Sequence, residues 1–470
     1  MTSDSPFRAY DIRGVVGQTL TEELVYRIGR AFASEAEAQG QRAVVVGADG
    51  RQSSPGLKDA LIRGLVAGGR LVTDIGTVST PLLYYAACEQ ANGTGMMITG
   101  SHNPPEYNGI KMMLAAETLA GEAIQALRRR VEAQDFISGQ GQVGHRDCLA
   151  GYVRRIAEQI SPRIATSGQG KGKGQGKALR IVVDAGNGVA GPVAPRILTE
   201  IGQEVVEIFC DVDGSFPNHH PDPSQPENLQ DLIARVLAEG AALGLAFDGD
   251  GDRLGVVDHR GRILWPDRLM MLYARQILAA HPGAEVIFDV KCSRHLADDI
   301  AAHGGQPVMW RTGHSFLKAR LRASPTALLA GEMSGHLFFK DRWNGMDDAC
   351  YAAARLVEIL QQAGRPLADL VDELPGGVST PELRVPLPEG RHAEFMAALC
   401  AAARFPDGQT VTMDGLRVDF PDGFGLVRAS NTSPNLTLRF EGDDGAALAR
   451  IQSLFRQALL AVDSGLTLPI

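Results

Sequence analysis

A serine stands in a loop that can be neither helix nor strand. The segment Thr99-Gly100-Ser101-His102-Asn103-Pro104-Pro105 follows an apolar run, Gly95–Ile98, that predicts a short buried strand. The two prolines remove backbone donors and stop regular structure. Because α/β proteins keep much of their chemistry in loops at strand ends, Ser101 is a candidate functional residue. An ordinary turn, in which the serine and asparagine bond their own backbone, fits this segment equally well.

Three carboxylates at alternating positions form a second candidate site. The loop Asp248-Gly249-Asp250-Gly251-Asp252-Arg253 follows the apolar run Leu243–Phe247. An EF-hand is excluded, because the sixth position is Arg253 rather than glycine and the twelfth is His259 rather than glutamate. Close-set carboxylates need a cation, and hard oxygen ligands favour Mg²⁺ or Ca²⁺. A Mg²⁺ site that bridges to phosphate oxygens is the favoured interpretation, and a solvated acidic turn is the alternative.

Two later loops suit a phosphorylated sugar. Gly331–His336 offers a carboxylate, a hydroxyl and an imidazole, a set able to bind two neighbouring sugar hydroxyls. Arg428–Ser433 joins a guanidinium to a run of short donors, as phosphate binding requires. Each loop alone is also compatible with a simple capped turn. Further polar candidates that no spacing rule singles out are Arg13, Lys111, Lys291 and His314.

A glycine pattern opens a different hypothesis. The stretch Gly186–Gly191 reads G-x-G-x-x-G between a predicted strand and a predicted helix, and Glu207 follows about 20 residues later. This spacing is compatible with a dinucleotide-dependent oxidoreductase, although glycines at a tight strand-to-helix turn are the simpler interpretation. A non-catalytic sugar-binding module that holds Mg²⁺ or Ca²⁺ is a third possibility.

The composition argues against a nucleic-acid-binding, membrane-spanning or secreted protein. The chain has 470 residues, of which 44% are hydrophobic and 21% charged, and its net charge of −9 gives no general attraction for nucleic acid or anionic membranes. No run of about 18 apolar residues predicts a membrane span. Six scattered cysteines without a C-x-x-C pair fit reduced thiols, and the charged N-terminus resembles no signal peptide. We therefore expect a cytoplasmic protein.

Strand-like runs alternate with amphipathic helical stretches through most of the chain. This alternation predicts stacked, repeated α/β domains with substantially parallel sheets. After Leu374 the pattern changes to alternating strands and one closing helix, as in a separate α+β domain. The stretch 167–177, rich in Gly, Lys and Gln, predicts a flexible and dispensable surface loop. The predicted domains are residues 1–147, 148–261, 262–374 and 375–470.

Taken together, the four polar loops resemble the α-D-phosphohexomutase family, in the same order and over nearly the whole chain from Phe7. The likeness is greatest to its bacterial phosphomannomutase/phosphoglucomutase branch. The resemblance implies an α/β fold of three related mixed-sheet domains and a C-terminal α+β domain around a central cleft. Ala48 departs from the pattern, since relatives often carry arginine there.

The resemblance also implies roles for individual residues. Ser101 would be a phosphoserine that donates and recovers a phosphoryl group. The ligands of Mg²⁺ would be Ser101, Asp248, Asp250 and Asp252. Glu332 and Ser334 would bind the 3- and 4-hydroxyls of the sugar. The non-reacting phosphate would be bound by Arg428, Ser430, Asn431 and Thr432. Other catalytic positions are matched by Arg13, His102, Lys111, Arg253 and His314, and other substrate-binding positions by Tyr10, Lys291 and His336.

The implied reaction is the reversible interconversion of hexose 1-phosphate and hexose 6-phosphate, with glucose 1,6-bisphosphate as intermediate and activator. Glu332-Met333-Ser334 favours the mannose and glucose branch, since phosphoglucosamine mutases usually carry Glu-Gln-Ser. The products would feed sugar-nucleotide and polysaccharide synthesis. The expected partners are small phosphosugars, without nucleic acid or membrane, and the expected state is a monomer.

Overall fold

Four β-sheets follow one another along the chain, each accompanied by helices, in the computed structural model of this protein. The structure describes residues 5–167, 178–388, 390–430 and 435–470. The predicted flexible loop at 167–177 lies outside these residues, apart from position 167. None of the described helices is long and apolar enough to cross a membrane.

The first sheet mixes parallel and antiparallel strands. Its unit contains β1 (Ile12–Val15), α1 (Glu22–Ala38), β2 (Ala43–Ala48), α2 (Ser54–Ala67), β3 (Leu71–Thr77), α3 (Thr80–Gln90), β4 (Gly95–Ile98), β5 (Tyr107–Leu114), β6 (Glu117–Thr118), α4 (Glu122–Ala133) and β7 (Gln142–His145). The strand order is β1-β5-β4-β2-β3-β7, and β6 pairs with β5. Strand β2 is parallel to β3 and β4, whereas β5 is antiparallel to β4.

The second sheet repeats this arrangement with fewer strands. Its unit contains α5 (Leu149–Ser167), β8 (Arg180–Asp184), α6 (Ala194–Glu200), β9 (Glu204–Ile208), a 3₁₀ turn (Pro226–Leu229), α7 (Gln230–Glu239), β10 (Leu243–Phe247), β11 (Leu254–Asp258) and β12 (Ile263–Leu264). The strand order is β12-β11-β10-β8-β9. Strand β8 is parallel to β9 and β10, and β11 is antiparallel to β10.

The third sheet has four strands of the same kind. Its unit contains α8 (Pro266–Ala280), β13 (Glu285–Asp289), α9 (Arg294–Ala302), β14 (Gln306–Trp310), α10 (His314–Ala323), β15 (Ala327–Gly331), β16 (Leu337–Phe339), α11 (Ala349–Ala363) and α12 (Leu367–Asp372). The strand order is β14-β13-β15-β16, in which only the last pair is antiparallel.

The fourth sheet is antiparallel throughout. Its unit contains β17 (Val378–Ser379), β18 (Leu383–Pro386), α13 (His392–Ala402), β19 (Gln409–Val411), β20 (Leu416–Phe420), β21 (Gly423–Ala429), β22 (Asn435–Gly442) and α14 (Gly445–Val462). The strand order is β17-β22-β21-β20-β19, and β18 also pairs with β22. The predicted fold class is therefore confirmed, three α/β units followed by an α+β unit.

One hairpin recurs in the first three units and carries the polar loops. An apolar strand ends, a polar loop follows, and the next strand returns antiparallel beside it, as in β4–β5, β10–β11 and β15–β16. The three loops are residues 99–106, 248–253 and 332–336. These hairpins are the antiparallel part of the mixed sheets that the family resemblance implied. Sequence alternation does not distinguish the two directions when both strands of a hairpin are buried and apolar.

The buried apolar side chains are not distributed as one separate core in each unit. One continuous core runs through the first three units, from Val45 to Leu374. The fourth unit has a separate core around Phe440 and Phe455. It meets the third unit in a small apolar cluster and through arginines. Arg417 donates to the carbonyls of Val290 and Cys292, at 2.6 and 2.7 Å.

A buried carboxylate joins α5 to α11. Asp348 caps the N-terminus of α11 by accepting from the backbone N–H of Tyr351 at 2.8 Å. The hydroxyl of Tyr152, on α5, lies 2.8 Å from both carboxylate oxygens, and the indole N–H of Trp343 donates at 2.9 Å. Three donors on one buried carboxylate fix the second unit against the third.

We expect Tyr152→Phe to destabilise the protein by about 1–3 kcal/mol, because a buried carboxylate loses one of its donors. Thermal and denaturant unfolding measure this change. Tyr85→Phe is the matched control, since no hydrogen bond of its hydroxyl occurs among the described residues, and its ring stacks on Trp343. Equal stability of the two variants would contradict the role assigned to the Tyr152 hydroxyl.

Candidate active site

Ser101 lies directly against the aspartate loop. Its hydroxyl donates to Asp248 Oδ2 at 2.9 Å, and His102 Nδ1 lies 3.1 Å from the Oγ of Ser101. The side chain is buried and the backbone has a φ of +49°, in the left-handed region that a non-glycine residue rarely adopts. A Cβ at position 249 would approach the Ser101 carbonyl to 2.5 Å, so glycine is required there for the two loops to meet.

A buried arginine holds the serine loop in this shape. Arg51 donates to the carbonyls of Ser101 and Asn103, at 2.8 and 2.6 Å, and to those of Pro104 and Tyr107, at 2.7 and 3.1 Å. Only 2% of its surface is exposed. Sequence reasoning missed this residue. The available signal was that Asp49-Gly50-Arg51 follows β2 at the same end of the sheet as the serine loop follows β4.

Asp49 also stabilises the serine loop. Its carboxylate accepts from the backbone N–H of Gly100 at 2.9 Å and from the hydroxyl of Ser54 at 2.5 Å. It also lies 3.3 Å from the Nε of Arg51. The strained turn at Ser101 is therefore fixed by donors and acceptors on both sides.

The three aspartates of the second loop form a compact, fully buried set. One carboxylate oxygen from each of Asp248, Asp250 and Asp252 lies within 4.8 Å of the others. Lys111, on β5, donates to Asp250 at 2.7 Å and to Asp252. Among the described residues no hydrogen-bond donor reaches Asp250 Oδ1. Hard oxygen atoms around an orphaned acceptor fit Mg²⁺.

The charges of this set are strongly coupled. Burial and the neighbouring carboxylates of Asp250 and Asp252 raise the pKa of Asp248. Burial opposes the charge of Lys111, but Asp250 and Asp252 outweigh it and raise the pKa of the ammonium above its usual value. Lys111 is helped by Arg253, 4.0 Å from Asp248, and by His336, 3.3 Å from Asp252 Oδ1, and the clustered carboxylate oxygens can also accept a divalent cation.

The glycine pattern at 186–191 packs against the aspartate loop. The N–H of Val189 donates to the carbonyl of Gly249 at 3.2 Å, and a Cβ at Gly188 would lie 2.8 Å from that carbonyl. A Cβ at Gly191 would lie 1.9 Å from the carbonyl of Cys210. Close packing therefore accounts for these glycines without a dinucleotide.

The polar loop of the third unit, residues 332–336, contacts the aspartate loop. Glu332 Oε2 lies 2.8 Å from His336 Nδ1 and accepts from the hydroxyl of Ser334 at 3.1 Å. His336 Nε2 lies 3.3 Å from Asp252 Oδ1, which links this loop to the aspartates. Burial would lower the pKa of His336, but Asp252 and Glu332 raise it to about 9. Burial would likewise raise the pKa of Glu332, which His336 and Lys291 hold at about 2.

Two arginines and a histidine surround Ser101. Arg13 donates to the side chain of Asn103 at 2.6 Å, and Arg253 Nε lies 4.0 Å from Asp248 Oδ2. Burial and these two guanidinium groups lower the pKa of His102 well below its usual value. His102 is therefore a neutral imidazole beside the serine hydroxyl.

Aromatic rings form a further wall. The ring of Tyr10 meets that of His314 edge-on, with centroids 5.1 Å apart, and the His314 ring stacks on His336 at 5.4 Å. Burial and the ammonium of Lys318 lower the pKa of His314 to about 4, so this imidazole is neutral near pH 7. The structure thus brings Tyr10 and His314 to the residues around Ser101.

Arg428, predicted to bind the non-reacting phosphate, and Lys291, predicted to bind substrate, both stand in ion pairs. Lys291 lies 3.0 Å from Glu382, and Arg428 lies 3.0 Å from Asp414. Ser430 follows β21 directly. The predicted phosphate-binding residues Asn431 and Thr432 lie outside the described residues.

We expect Arg51→Lys to loosen the serine loop, because an ammonium group cannot reach the four carbonyls that the guanidinium fork contacts. Hydrogen exchange of the amides in residues 99–107 should accelerate by about tenfold or more. Arg27→Lys is the control, since Arg27 is exposed and contacts one glutamate on its own helix. Unchanged exchange in the loop of the Arg51 variant would refute the support that we assign to this residue.

Comparison with known proteins gives matches along the whole chain. Family models described as phosphoglucomutase/phosphomannomutase alpha/beta/alpha domains I, II and III match residues 4–138, 150–261 and 265–376, and the C-terminal domain model matches residues 382–458. A Pseudomonas aeruginosa protein named phosphomannomutase/phosphoglucomutase is 52% identical over 465 residues, covering 99% of this chain and 97% of that protein.

Two further likenesses cover nearly the full length. A Neisseria gonorrhoeae protein named phosphoglucomutase is 51% identical over 458 residues, 96% of each chain. The crystal structure of a phosphoglucomutase/phosphomannomutase family protein from Burkholderia thailandensis has 50% identity and a TM-score of 0.92, and the match covers 100% of both chains.

Proposed function

The chain belongs to the phosphoglucomutase/phosphomannomutase family, the α-D-phosphohexomutases, and we propose that it interconverts the 1-phosphates and 6-phosphates of mannose and glucose. The observation that carries this proposal is the 2.9 Å contact between the Ser101 hydroxyl and the buried aspartate loop. A serine in that place is set to carry a phosphoryl group beside a cation.

Asp248, Asp250 and Asp252 would hold Mg²⁺ together with an oxygen of the phosphoserine. The ion would neutralise charge on the transferring phosphoryl group. Lys111 and Arg253 add positive charge at the same point, and Arg13 holds the loop that bears the serine through Asn103. Positioning and charge compensation are the main contributions that a protein makes to phosphoryl transfer.

In the first half-reaction a sugar hydroxyl oxygen bonds to phosphorus while the bond from phosphorus to Ser101 Oγ breaks, which gives a hexose 1,6-bisphosphate. In the second, Ser101 Oγ attacks the other phosphate and its bond to the sugar breaks. The serine proton then needs an acceptor. The neutral Nδ1 of His102, 3.1 Å from Ser101 Oγ, would take this proton and would return it to Oγ when the serine is the leaving group; the sugar hydroxyl loses a proton in the first half-reaction and the sugar oxygen that leaves phosphorus gains one in the second.

The bisphosphate must turn between the two steps, so one set of groups must bind the sugar in both orientations. Glu332 and Ser334 would bind two neighbouring hydroxyls, beside His336. Lys291, Arg428 and Ser430 would bind the phosphate that does not react, joined by Asn431 and Thr432. The side chains of Tyr10 and His314 would lie beside the ring of the bound sugar. The aromatic contact between these two rings supports this placement.

The remaining parts of the proposal concern the setting of the reaction. Glucose 1,6-bisphosphate would serve as activator, and the products would feed sugar-nucleotide and polysaccharide synthesis. The protein would act in the cytoplasm as a monomer on small phosphosugars. Its domains would span residues 1–147, 148–261, 262–374 and 375–470.

Ser101→Ala should reduce mutase turnover with glucose 1-phosphate by at least a thousandfold, because the group that carries the phosphoryl is gone. Intact-protein mass spectrometry after priming with glucose 1,6-bisphosphate should show one phosphate on the wild type and none on this variant. Ser215→Ala, at an exposed serine, is the control. Full turnover in the Ser101 variant would overturn the proposal, and NAD binding without mutase activity would favour an oxidoreductase.

Substrate range is tested by comparing kcat/KM for mannose 1-phosphate, glucose 1-phosphate and glucosamine 1-phosphate. We expect similar values for the first two and a value at least tenfold lower for the third. Glu332→Gln should lower all three, since one carboxylate would contact hydroxyls that the sugars share. A preference for glucosamine 1-phosphate would refute the assigned branch while leaving the reaction class intact.

A further inference from the structure

A second set of metal-ligating atoms shares Asp252 with the aspartate loop. It consists of one carboxylate oxygen from Asp252, one from Asp347 and a ring nitrogen of His336, all within 4.8 Å of one another. All three residues are buried. The distance from His336 Nε2 to Asp252 Oδ1 is 3.3 Å.

Each carboxylate gives one oxygen to a lysine, and the other oxygen faces a histidine nitrogen without a well-formed hydrogen bond. His336 Nε2 lies 3.3 Å from Asp252 Oδ1, and His314 Nδ1 lies 3.4 Å from Asp347 Oδ2. Lys111 binds Asp252 through Oδ2, and Lys318 binds Asp347 through Oδ1 at 2.8 Å. Within the described part of the chain, Asp252 Oδ1 and Asp347 Oδ2 accept no hydrogen bond. Two wholly buried, orphaned acceptors on adjacent residues are costly unless a cation lies between them.

The histidine is oriented to complete the set. Its Nδ1 lies 2.8 Å from Glu332 Oε2, so the carboxylate accepts the Nδ1 proton and directs Nε2 toward Asp252. A carboxylate behind a histidine is the usual outer support of a metal ligand, where it fixes the ring and increases the basicity of the other nitrogen. Arg253 Nε approaches the same Nε2 at 3.4 Å, a long contact that a metal–nitrogen bond would replace.

We propose that Asp252, His336 and Asp347 form a second divalent-cation site, selective for a transition ion such as Zn²⁺ over Mg²⁺. A nitrogen ligand favours zinc, whereas magnesium prefers oxygen alone. Bonds of about 2.0–2.1 Å place two corners of a zinc tetrahedron about 3.3–3.4 Å apart, which matches the separation of His336 Nε2 and Asp252 Oδ1. The fourth corner is left for water or a substrate oxygen. The ion takes the place of the Nε2 proton of His336.

Asp252 belongs to both sets of ligating residues. A zinc ion here would occupy His336 and bind close to the position of the transferring phosphoryl group. If the proposed function holds, the consequence is inhibition by zinc that excess magnesium does not relieve. The binding site itself does not depend on that function, because it is measured without turnover.

The test uses Co²⁺ as a spectroscopic substitute for zinc on the purified full-length protein at saturating Mg²⁺. The wild type should bind one Co²⁺ per chain with the intense visible absorption of a four-coordinate ion. Asp347→Asn should lose that band and weaken Co²⁺ binding at least a hundredfold, since one of three ligands is removed. Asp250→Asn, which damages only the Mg²⁺ site, should retain the band.

Asp369→Asn is the control, because it removes one exposed carboxylate far from the site. A thermal-unfolding curve shows whether Asp347→Asn is folded. Should it fail to fold, nitrogen NMR of histidine-labelled wild type decides the matter, since bound Co²⁺ must shift or broaden the His336 signal. A wild type without the four-coordinate band, an unshifted His336 signal, or equal binding by folded Asp347→Asn would each overturn the site.

Discussion

Lys111 lies between two aspartates that have no contact with solvent, and this ion pair is what allows the aspartate loop to exist inside the folded chain. A buried carboxylate without a partner is among the most destabilising features a fold can contain. The lysine comes from the first sheet and the aspartates from the second. Thr80, at the start of α3, adds a hydroxyl that donates to Asp250 at 2.5 Å. Separating the first two units would therefore expose unbalanced charge as well as apolar surface.

The first three units carry different polar side chains on the same structural element, a strand–loop–strand hairpin. In each of the first three units an apolar strand ends at a polar loop and an antiparallel strand returns beside it. The three hairpins face one another, so that a backbone bridge joins Arg253 to His336 and the hydroxyl of Ser101 reaches Asp248. The hairpin is the same in all three units, and the side chains on its loop differ: a serine in the first, three aspartates in the second, and a glutamate with a serine and a histidine in the third.

Sequence alone predicted the residues that belong to a recognisable local pattern. The aspartate loop, the serine loop and the Glu332 loop each follow an apolar run, and strand ends are where such runs stop. The family resemblance and the fold class are confirmed. Individual residue roles stay predictions.

Other residues were invisible to sequence reasoning for a physical reason. Arg51 acts on backbone carbonyls, which carry no sequence signature, and its partners are about 50 residues away along the chain. Asp347 directly precedes the capping residue Asp348, and nothing in that local sequence indicates that its carboxylate lies beside Asp252 and His336. Strand alternation by itself favoured parallel pairing, because buried hairpin strands and parallel strands share the same apolar composition, and the mixed sheets were implied only by the family resemblance.

The fourth unit has an apolar core that is separate from the core of the first three units. Its grip on the rest of the chain is a small apolar cluster and arginines that bind carbonyls and a carboxylate, as Arg439 binds Asp267 at 3.0 Å. Hydrogen bonds of such charged groups contribute about 1.5–3 kcal/mol each, and they can be exchanged for bonds to water, unlike the continuous apolar core that joins the first three units. In mechanical terms the molecule is a stiff three-part body with a compliant arm. A bound phosphate that bridges body and arm would therefore change the stiffness of the whole molecule without rearranging either interior.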